Sequence, residues 1–573
     1  MSDAPWHDAA ALDALPQSTP TLARVSDRRL ALVRTDDGVF ALDDACPHEG
    51  YPLSKGAVSG CTLTCCWHNF KFDLRDGACA KGEAVGTYPV RIREGRVEVQ
   101  VAPPDPVALQ KAAFASLEQA VIEGRDGQAA RDIVRLLRAG AAPAEIAVAA
   151  ARIDAERSEW GTTHILPVAF DVLGLVDRYP GERAVFPLVQ PFELAAERMI
   201  RLPRRPEAPL IDPGPDSAKA RERFLDAVEA EQLDEAEGLL RGALANGATR
   251  ADLEPWFIEG CAAHFLDFGH ALIYSTKAFD LLEAAGWHHA VEILPGLVAR
   301  LVNATREEVL PEWSAWRKAM ADYRPGFEAF WARQTDEAAE PDEAAVAALL
   351  DGTRDEALAA IATRLGEGVP VDALAGALVL AASERLLRFD VRIDGRDDVQ
   401  DGWLDVTHPF TFAHAVRQAL RRHRAPTTLA LLFQAARFIQ NAGALDDPPD
   451  RRRLIKPHIG SIEGIRTDIL DHQADRAVDA TAGYLRAGEP VGPLKALFED
   501  LPIRDGHPVP IVVAHLIKTT AVAFAEHAEL GRPEPLLALA RLAASPIRQR
   551  WLARSCHNAI RFIVDGKVPR TLT

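Results

Sequence analysis

The sequence lacks the features of a membrane-spanning, exported or nucleic-acid-binding protein. No uncharged apolar run reaches the roughly 18 residues that span a bilayer, and the opening segment MSDAPWHDAAALDALPQ has neither a basic stretch nor an apolar one. The formal net charge of −18 disfavours contact with nucleic acid and with anionic membranes. We therefore expect a cytoplasmic protein that binds no nucleic acid and no membrane.

Cysteine is scarce and unevenly distributed. Only seven cysteines occur in 573 residues, too few for a framework of disulfides. Five of them fall in one short segment: Cys46, Cys61, Cys65, Cys66 and Cys79. Clustered cysteines next to histidines, in a reducing compartment, indicate a metal or catalytic site rather than crosslinks.

Nucleotide-binding signatures are missing as well. The chain has no P-loop, no glycine-rich dinucleotide fingerprint and no flavin signature. If the protein carries out redox chemistry, its electrons must come from an external reductase or ferredoxin.

Short strands are predicted at the beginning of the chain. Residues 1–103 contain apolar runs that alternate with polar residues, separated by turn signals such as Asp36-Asp37-Gly38 and Glu94-Gly95. Consecutive prolines in APPDP, at 102–106, indicate a linker because proline stops both helices and strands. This part of the sequence predicts a small all-β domain.

The rest of the chain predicts helices. From residue 107 onwards Ala, Leu, Arg and Glu dominate, and apolar residues recur at helical spacing, which indicates a large all-α repeat or bundle region. Four diverged helical units are our interpretation of its glycine-terminated helices and spaced histidines. A charged stretch near 334–342 divides the region into predicted halves, 107–335 and 343–573. A single undivided helical domain is the alternative.

Two Cys–His pairs stand out in the first domain. Cys46-Pro47-His48 is C-x-H, and after sixteen intervening residues Cys65 and His68 form C-x2-H. Two thiolates and two neutral imidazoles are the ligands of a [2Fe–2S] cluster in which the cysteines hold one iron and the histidines the other. A tetrahedral zinc site would use the same four ligand types and is the alternative.

The surrounding sequence resembles a known family. The segment CPHEGYPLSKGAVSGCTLTCCWHNFKFDLRDG is similar to the cluster motif of Rieske ferredoxins and oxygenase-type Rieske domains, and TYPVRIREGRVEV is similar to their closing strands. The resemblance covers about residues 4–103. It implies a Rieske [2Fe–2S] cluster bound by four residues, namely Cys46, His48, Cys65 and His68.

The sequence departs from this family at two positions. Glu49 stands where a basic residue is common, and Cys66 stands where proline is common. Cys66 is therefore a rival ligand, but only Cys65 preserves the C-x2-H spacing with His68.

Histidines in the helical region suggest a second metal centre. A helical bundle with inward-pointing histidines and carboxylates is a common iron site. The predicted second site consists of His164, His264, His270, His408, His414 and His515, with Glu159, Glu259 or Asp267 as further candidates. One helix through His264, Asp267 and His270 would place these three on one face, spanning about 120°. The alternative is that these histidines are ordinary core residues, and Pro409 favours a helix that only begins near His408.

Together these features predict an oxidoreductase. The Rieske cluster would pass electrons to a His-rich non-heme iron site in the helical region, for oxygenation of a small organic substrate, with electrons from an external reductase or ferredoxin. A homo-oligomer is expected if the two sites must approach across subunits. The alternative is a Rieske electron-transfer or redox-sensing protein whose helical region is a docking scaffold or a metal-free enzyme domain.

Overall fold

The computed structural model describes most of the chain and divides into two compact units. The described residues are 4–26, 28–48, 50–80, 84–102, 105–198, 201–335, 339–393, 396, 402–504, 509–545, 547 and 564. One unit comprises Met1–Gln119 with Gly127–Gly140, and the other comprises Ala120–Asp126 with Ala141–Thr573. The division of the helical region within 336–342 stays a prediction, and residues 336–338 lie outside the described residues.

Within the described residues, ten short strands occur, all before residue 101. They are β1 Trp6–Ala11, β2 Thr21–Val25, β3 Arg28–Thr35, β4 Gly38–Asp43, β5 Ala57–Ser59, β6 Thr62–Thr64, β7 Lys71–Asp73, β8 Thr87–Tyr88, β9 Val90–Arg93 and β10 Arg96–Gln100. They pair antiparallel in three sheets, with strand orders β1-β10-β9, β2-β3-β4-β8 and β5-β6-β7. The predicted all-β domain is therefore confirmed.

Both predicted hairpins form. Asp36 and Asp37 connect β3 to β4, and Glu94 and Gly95 connect β9 to β10. Glu94 and Gly95 have φ angles of 50° and 75°, and two consecutive left-handed residues suit the type I′ turn whose twist matches that of the paired strands.

β3 separates two cores because its side chains alternate between faces. Leu32 belongs to the cluster that includes residues of β10, whereas Val33 belongs to the cluster that includes Cys46 and Cys65. Both cysteines are thus part of a packed apolar interior and do not lie on a mobile surface loop.

The described part of the chain from residue 105 onwards is largely helical, as predicted. The helices are α1 Pro106–Ile122, α2 Asp126–Arg138, α3 Pro143–Arg157, α4 Ile165–Asp171, α5 Val185–Leu188, α6 Gln190–Arg198, α7 Ser217–Glu229, α8 Leu233–Ala245, α9 Arg250–Ala263, α10 His270–Ala285, α11 Ala290–Asn303, α12 Ser314–Tyr323, α13 Phe327–Trp331, α14 Glu343–Asp351, α15 Arg354–Gly366, α16 Val371–Arg388, α17 Trp403–Arg422, α18 Ala430–Ala442, α19 Ile462–Leu470, α20 Ala474–Arg486, α21 Val491–Asp500, α22 Pro510–Leu530 and α23 Glu534–Ala544. Short 3-10 turns connect several of them.

Four of these helices pack in a closed ring. α4 packs against α10, α10 against α17, α17 against α22, and α22 against α4. The expectation that a helix begins near His408 is wrong, because α17 starts at Trp403 and continues through Pro409 to Arg422. Proline is tolerated there, in the second turn of the helix, because tertiary packing on both sides outweighs its local preference.

α22 is the one helix in the described parts of the chain that is long and apolar enough to cross a membrane. Its best 18-residue window has a mean hydropathy of 1.2, and 67% of that window is buried inside the protein. Burial of this kind is typical of a core helix.

Candidate functional site

Two loops bring the Cys–His pairs together. Cys46 and His48 follow β4, whereas Cys65 and His68 lie between β6 and β7. The Cys46 N–H donates to the Tyr51 carbonyl at 2.9 Å, and the Cys65 N–H donates to the Phe70 carbonyl at 2.8 Å. These hydrogen bonds close each loop on itself and fix the direction of the side chains it carries.

The two histidine rings of these loops contact each other. His48 and His68 are perpendicular, with ring centroids 4.5 Å apart and Nδ1 atoms 3.1 Å apart. Cys46 and Cys65 are buried, whereas His68 is exposed. Two converging imidazoles and two buried thiols on the same pair of loops are the residue types that hold a [2Fe–2S] cluster of this kind, and the exposed His68 is accessible to a redox partner.

The rival thiol has another contact. Cys66 is exposed and its Sγ donates to the backbone carbonyl of Lys55 at 2.9 Å. The histidine rings contact neighbouring aromatic rings. Phe70 stacks on His48 with ring centroids 4.5 Å apart, and Trp67 stacks on His68 with ring centroids 5.0 Å apart.

Comparison with known proteins gives the family of this unit. Residues 5–98 match the family model of the Rieske [2Fe–2S] domain. Over 101 residues the chain is 37% identical to the anthranilate 1,2-dioxygenase ferredoxin subunit of Burkholderia cepacia, which covers 17% of this chain and 94% of that protein. The chain belongs to the Rieske [2Fe–2S] family. Its Rieske domain implies a [2Fe–2S] cluster and a role in electron transfer.

Solved structures are similar to a comparable share of the chain. The ferredoxin of carbazole 1,9a-dioxygenase from Nocardioides aromaticivorans IC177 is 26% identical and covers 17% of this chain and 98% of that chain, with a TM-score of 0.16. NdmA of Pseudomonas putida CBB5 is 23% identical, also with a TM-score of 0.16, and the match covers 17% of this chain and only 34% of that chain.

The helical unit contains a second convergence of side chains. Each helix of the ring α4, α10, α17 and α22 contributes one histidine near its N-terminus. These are His164, which precedes α4, His270, which begins α10, His408 in α17 and His515 in α22. The Nε2 atom of His408 lies 2.8 Å from Nε2 of His270 and 3.3 Å from Nε2 of His515. One ring nitrogen from each of His164, His408 and His515 lies within 4.8 Å of the others.

Backbone carbonyls fix the tautomers of two of these rings. Nδ1 of His408 lies 2.6 Å from the Leu404 carbonyl, and Nδ1 of His515 lies 2.7 Å from the Ile511 carbonyl. A carbonyl only accepts, so each Nδ1 carries the hydrogen and each Nε2 of a neutral ring has a bare lone pair. Burial, followed by the neighbouring positive charges, holds the pKa of both histidines well below its usual value, which keeps the rings neutral.

His164 contributes an unsatisfied nitrogen. Its Nε2 is buried and has no hydrogen-bond partner in the described structure, while its Nδ1 lies 3.0 Å from the hydroxyl of Tyr274. Tyr274 also stacks on His270, with centroids 5.1 Å apart. The bare Nε2 atoms of His408 and His515 lie 3.3 Å apart. A cation bound to them and to the unpaired nitrogen of His164 would satisfy all three atoms. Tyr274, one turn after His270, is a site residue that the sequence analysis missed.

Two of the six predicted histidines lie elsewhere. His264 contacts Glu308 at 2.6 Å and Glu229 at 2.5 Å, and His414 contacts Glu526 at 2.6 Å. Although burial alone would lower the pKa of His264, its hydrogen bonds to the two glutamates raise it overall, as expected for a charged ion-pair partner. Of the predicted acids, Asp267 lies beside His270, Glu259 contacts His423 at 2.7 Å, and Glu159 is exposed.

The helix is interrupted between His264 and His270, so the expectation that one helix carries both residues is wrong. α9 ends at Ala263 and α10 begins at His270. Between them Asp267, Phe268 and Gly269 are all left-handed, with φ angles of 47°, 54° and 76°. This turn directs His270 towards His408 and places the Asp267 carboxylate 3.6 Å from Nδ1 of His270.

Proposed function

We propose that this protein is a two-part oxidoreductase. Cys46, His48, Cys65 and His68 would hold a Rieske cluster, and the ring histidines would hold a non-heme iron that the cluster would supply with electrons one at a time, for oxygenation of a small organic substrate. The ring histidines are His164, His270, His408 and His515. The observation that carries the proposal is the convergence of neutral ring nitrogens, above all the Nε2 atoms of His270 and His408 at 2.8 Å.

Iron is the metal that suits both parts of the chain. Imidazole ligands suit zinc, copper, nickel and iron, but zinc has no redox chemistry and would give the Rieske electrons no destination. Iron held by these imidazoles would supply the dioxygen activation that an oxygenase needs. The protein positions the four rings near helix N-termini. It also excludes water from the site, because His408 and His515 are almost fully buried.

The electrons must enter from outside. The sequence offers no nicotinamide or flavin motif, and the exposed edge of His68 is suited to contact with a separate carrier. An external reductase or ferredoxin in the cytoplasm is therefore the proposed donor.

The test is the metal content of the full-length protein, produced anaerobically with iron. A Rieske cluster alone supplies about two irons and two acid-labile sulfides per chain, and we expect about one further iron. Replacing His408 or His515 by glutamine should remove the further iron and leave the sulfide and the visible cluster spectrum unchanged.

Matched controls distinguish the ring from other histidines. His264→Gln and His414→Gln should keep the further iron. So should the double variant His288→Ala/His289→Ala, which removes a second group of side chains able to bind a metal, formed with Glu145. A well-folded protein with only the cluster iron would overturn the proposal and favour an electron-transfer or redox-sensing protein with a metal-free helical part.

A further inference from the structure

A buried lysine, Lys518, lies one helical turn after the ring residue His515, and its amine has no hydrogen-bond partner among the described residues. Lys518 follows His515 by three residues on α22, so the two side chains share one face of the helix. Lys518 is 2% exposed, and its Nζ makes no hydrogen bond or ion pair within the described chain. Burial lowers the pKa of His164, His408 and His515 most, and the charge of Lys518 lowers the pKa of each of them further.

The neighbouring acid does not neutralise it. Asp171, at the end of α4, accepts a hydrogen bond from Lys277 at 2.6 Å through Oδ1. Its Oδ2 is buried without a hydrogen-bond partner among the described residues. The charge of Asp171 acts on Lys518, yet no ion pair joins these two side chains in the part of the chain described here. Asp171 therefore contacts Lys277 directly, and the hydrogen bonds of the Lys518 amine remain unmade among the described residues.

The other described groups near the ring offer no free negative charge to the Lys518 amine. The four ring histidines are neutral ligands, and Asp267 is already paired with Arg300 at 2.7 Å. A divalent metal held by the ring would keep both of its charges, and Lys518 would add a third in the same water-poor region. Buried charge without a counter-ion is strongly unfavourable, so a negatively charged ligand would stabilise the loaded site while the Lys518 amine is protonated.

We propose that the helical site binds its substrate as an organic anion, a small carboxylate, whose oxygens pair with the amine of Lys518. This inference rests on the proposed function and gives it a substrate class. Burial lowers the pKa of Lys518 to about 7. A bound carboxylate stabilises the charged amine, and the hydrogen bonds that Nζ lacks are then made to the ligand.

The experiment is calorimetric binding to the full chain, loaded with iron. The probes are formate, acetate and benzoate, each measured against its own primary amide, which has nearly the same size and no charge. At least one acid should bind, with its amide at least about ten times weaker, as for loss of a charge-assisted contact. Lys518→Met should weaken the binding of that acid by a similar factor. Lys518→Arg keeps the charge and should retain the binding.

Controls make the result decisive. Lys495→Met removes the same charge from a half-exposed side chain and should leave acid binding unchanged. Binding of no acid to the iron-loaded protein, equal binding by Lys518→Met, or chloride binding as tightly as every acid would each overturn the inference. Iron content is measured on the same samples. Absence of the further iron would contradict the proposed function. The binding of acid and amide, compared between the natural protein and Lys518→Met, would still decide whether Lys518 binds a carboxylate.

Discussion

The Nε2 atoms of His270 and His408 lie 2.8 Å apart, although 138 residues separate the two histidines in sequence. His408 has its hydrogen on Nδ1, so its Nε2 only accepts. His270 presents Nδ1 to the Asp267 carboxylate, which favours a hydrogen on that nitrogen and a bare Nε2. Two facing nitrogen lone pairs at this distance repel unless a proton on one of the nitrogens or a bound cation lies between them, and the bound cation is the physical basis of the proposed metal site.

Asp267→Asn should weaken metal binding without unfolding the site. The change removes the negative charge that orients Nδ1–H of His270, and loss of such a partner costs about 10–100-fold in metal affinity. Asparagine tolerates the left-handed backbone that position 267 requires, where φ is 47°. The measurement is iron retention against increasing chelator concentration. Asp280→Asn, which removes an acid paired with Arg422 at 2.9 Å, is the control and should bind iron as the natural protein does; equal iron loss in both variants would contradict the role given to Asp267.

Gly269→Ala should damage the turn that aims His270. A Cβ at this position would lie 2.4 Å from Cδ2 of Phe412, and φ is 76°. We expect a loss of about 3 kcal/mol, from left-handed strain of about 1–2 kcal/mol and overpacking of about 1–3 kcal/mol. Thermal unfolding and iron content measure the effect.

Gly531 provides the matched control for that change. Its φ is 65° and no atom lies within 4 Å of an added Cβ. Gly531→Ala should therefore cost only about 1–2 kcal/mol of backbone strain and leave iron binding intact. If both alanine variants lose the same stability and keep their iron, Phe412 does not constrain the turn.

Cys65→Ser should abolish the Rieske cluster, whereas Cys66→Ser should keep it. Cys65 is buried among the residues around Cys46, but Cys66 is exposed and donates to the Lys55 carbonyl. Visible absorption and the electron paramagnetic resonance spectrum of the reduced protein report the cluster directly. The reverse result, with the cluster kept in Cys65→Ser and lost in Cys66→Ser, would assign the ligand to Cys66.

The sequence predicts the residues of the Rieske site more completely than those of the helical site, because the first are close in sequence and the second are not. The ligands of the Rieske domain lie in two tight loops, so spacing along the chain translates almost directly into spacing in the fold. The family match to residues 5–98 agrees with that expectation. The hairpins at Asp36-Asp37 and Glu94-Gly95 are local in the same sense, and both form.

The helical site depends on long-range packing instead. His164 and His515 are 351 positions apart in the chain, and only the ring of α4, α10, α17 and α22 makes them neighbours. Sequence identifies histidines of the right kind but does not tell His270, which faces the ring, from His264, which faces two glutamates. The deciding turn uses Asp267 and Phe268 in left-handed conformations, and neither residue signals such a turn on its own.

Glu307→Gln should remove a pH-dependent loss of stability. Glu307 is 7% exposed and accepts a hydrogen bond from the Phe268 N–H at 2.9 Å, while burial raises its pKa to about 8 from the ordinary 4.5. A raised pKa means that the folded state holds the proton more tightly, so this stabilisation is complete below about pH 4.5 and is lost as pH rises through 8. Glutamine is neutral throughout and keeps the accepting oxygen. Between pH 5 and pH 8 the variant should gain about 3 kcal/mol relative to the natural protein, seen as a growing difference in Tm by scanning calorimetry; a difference that stays constant with pH would show that Glu307 is ionised in the fold.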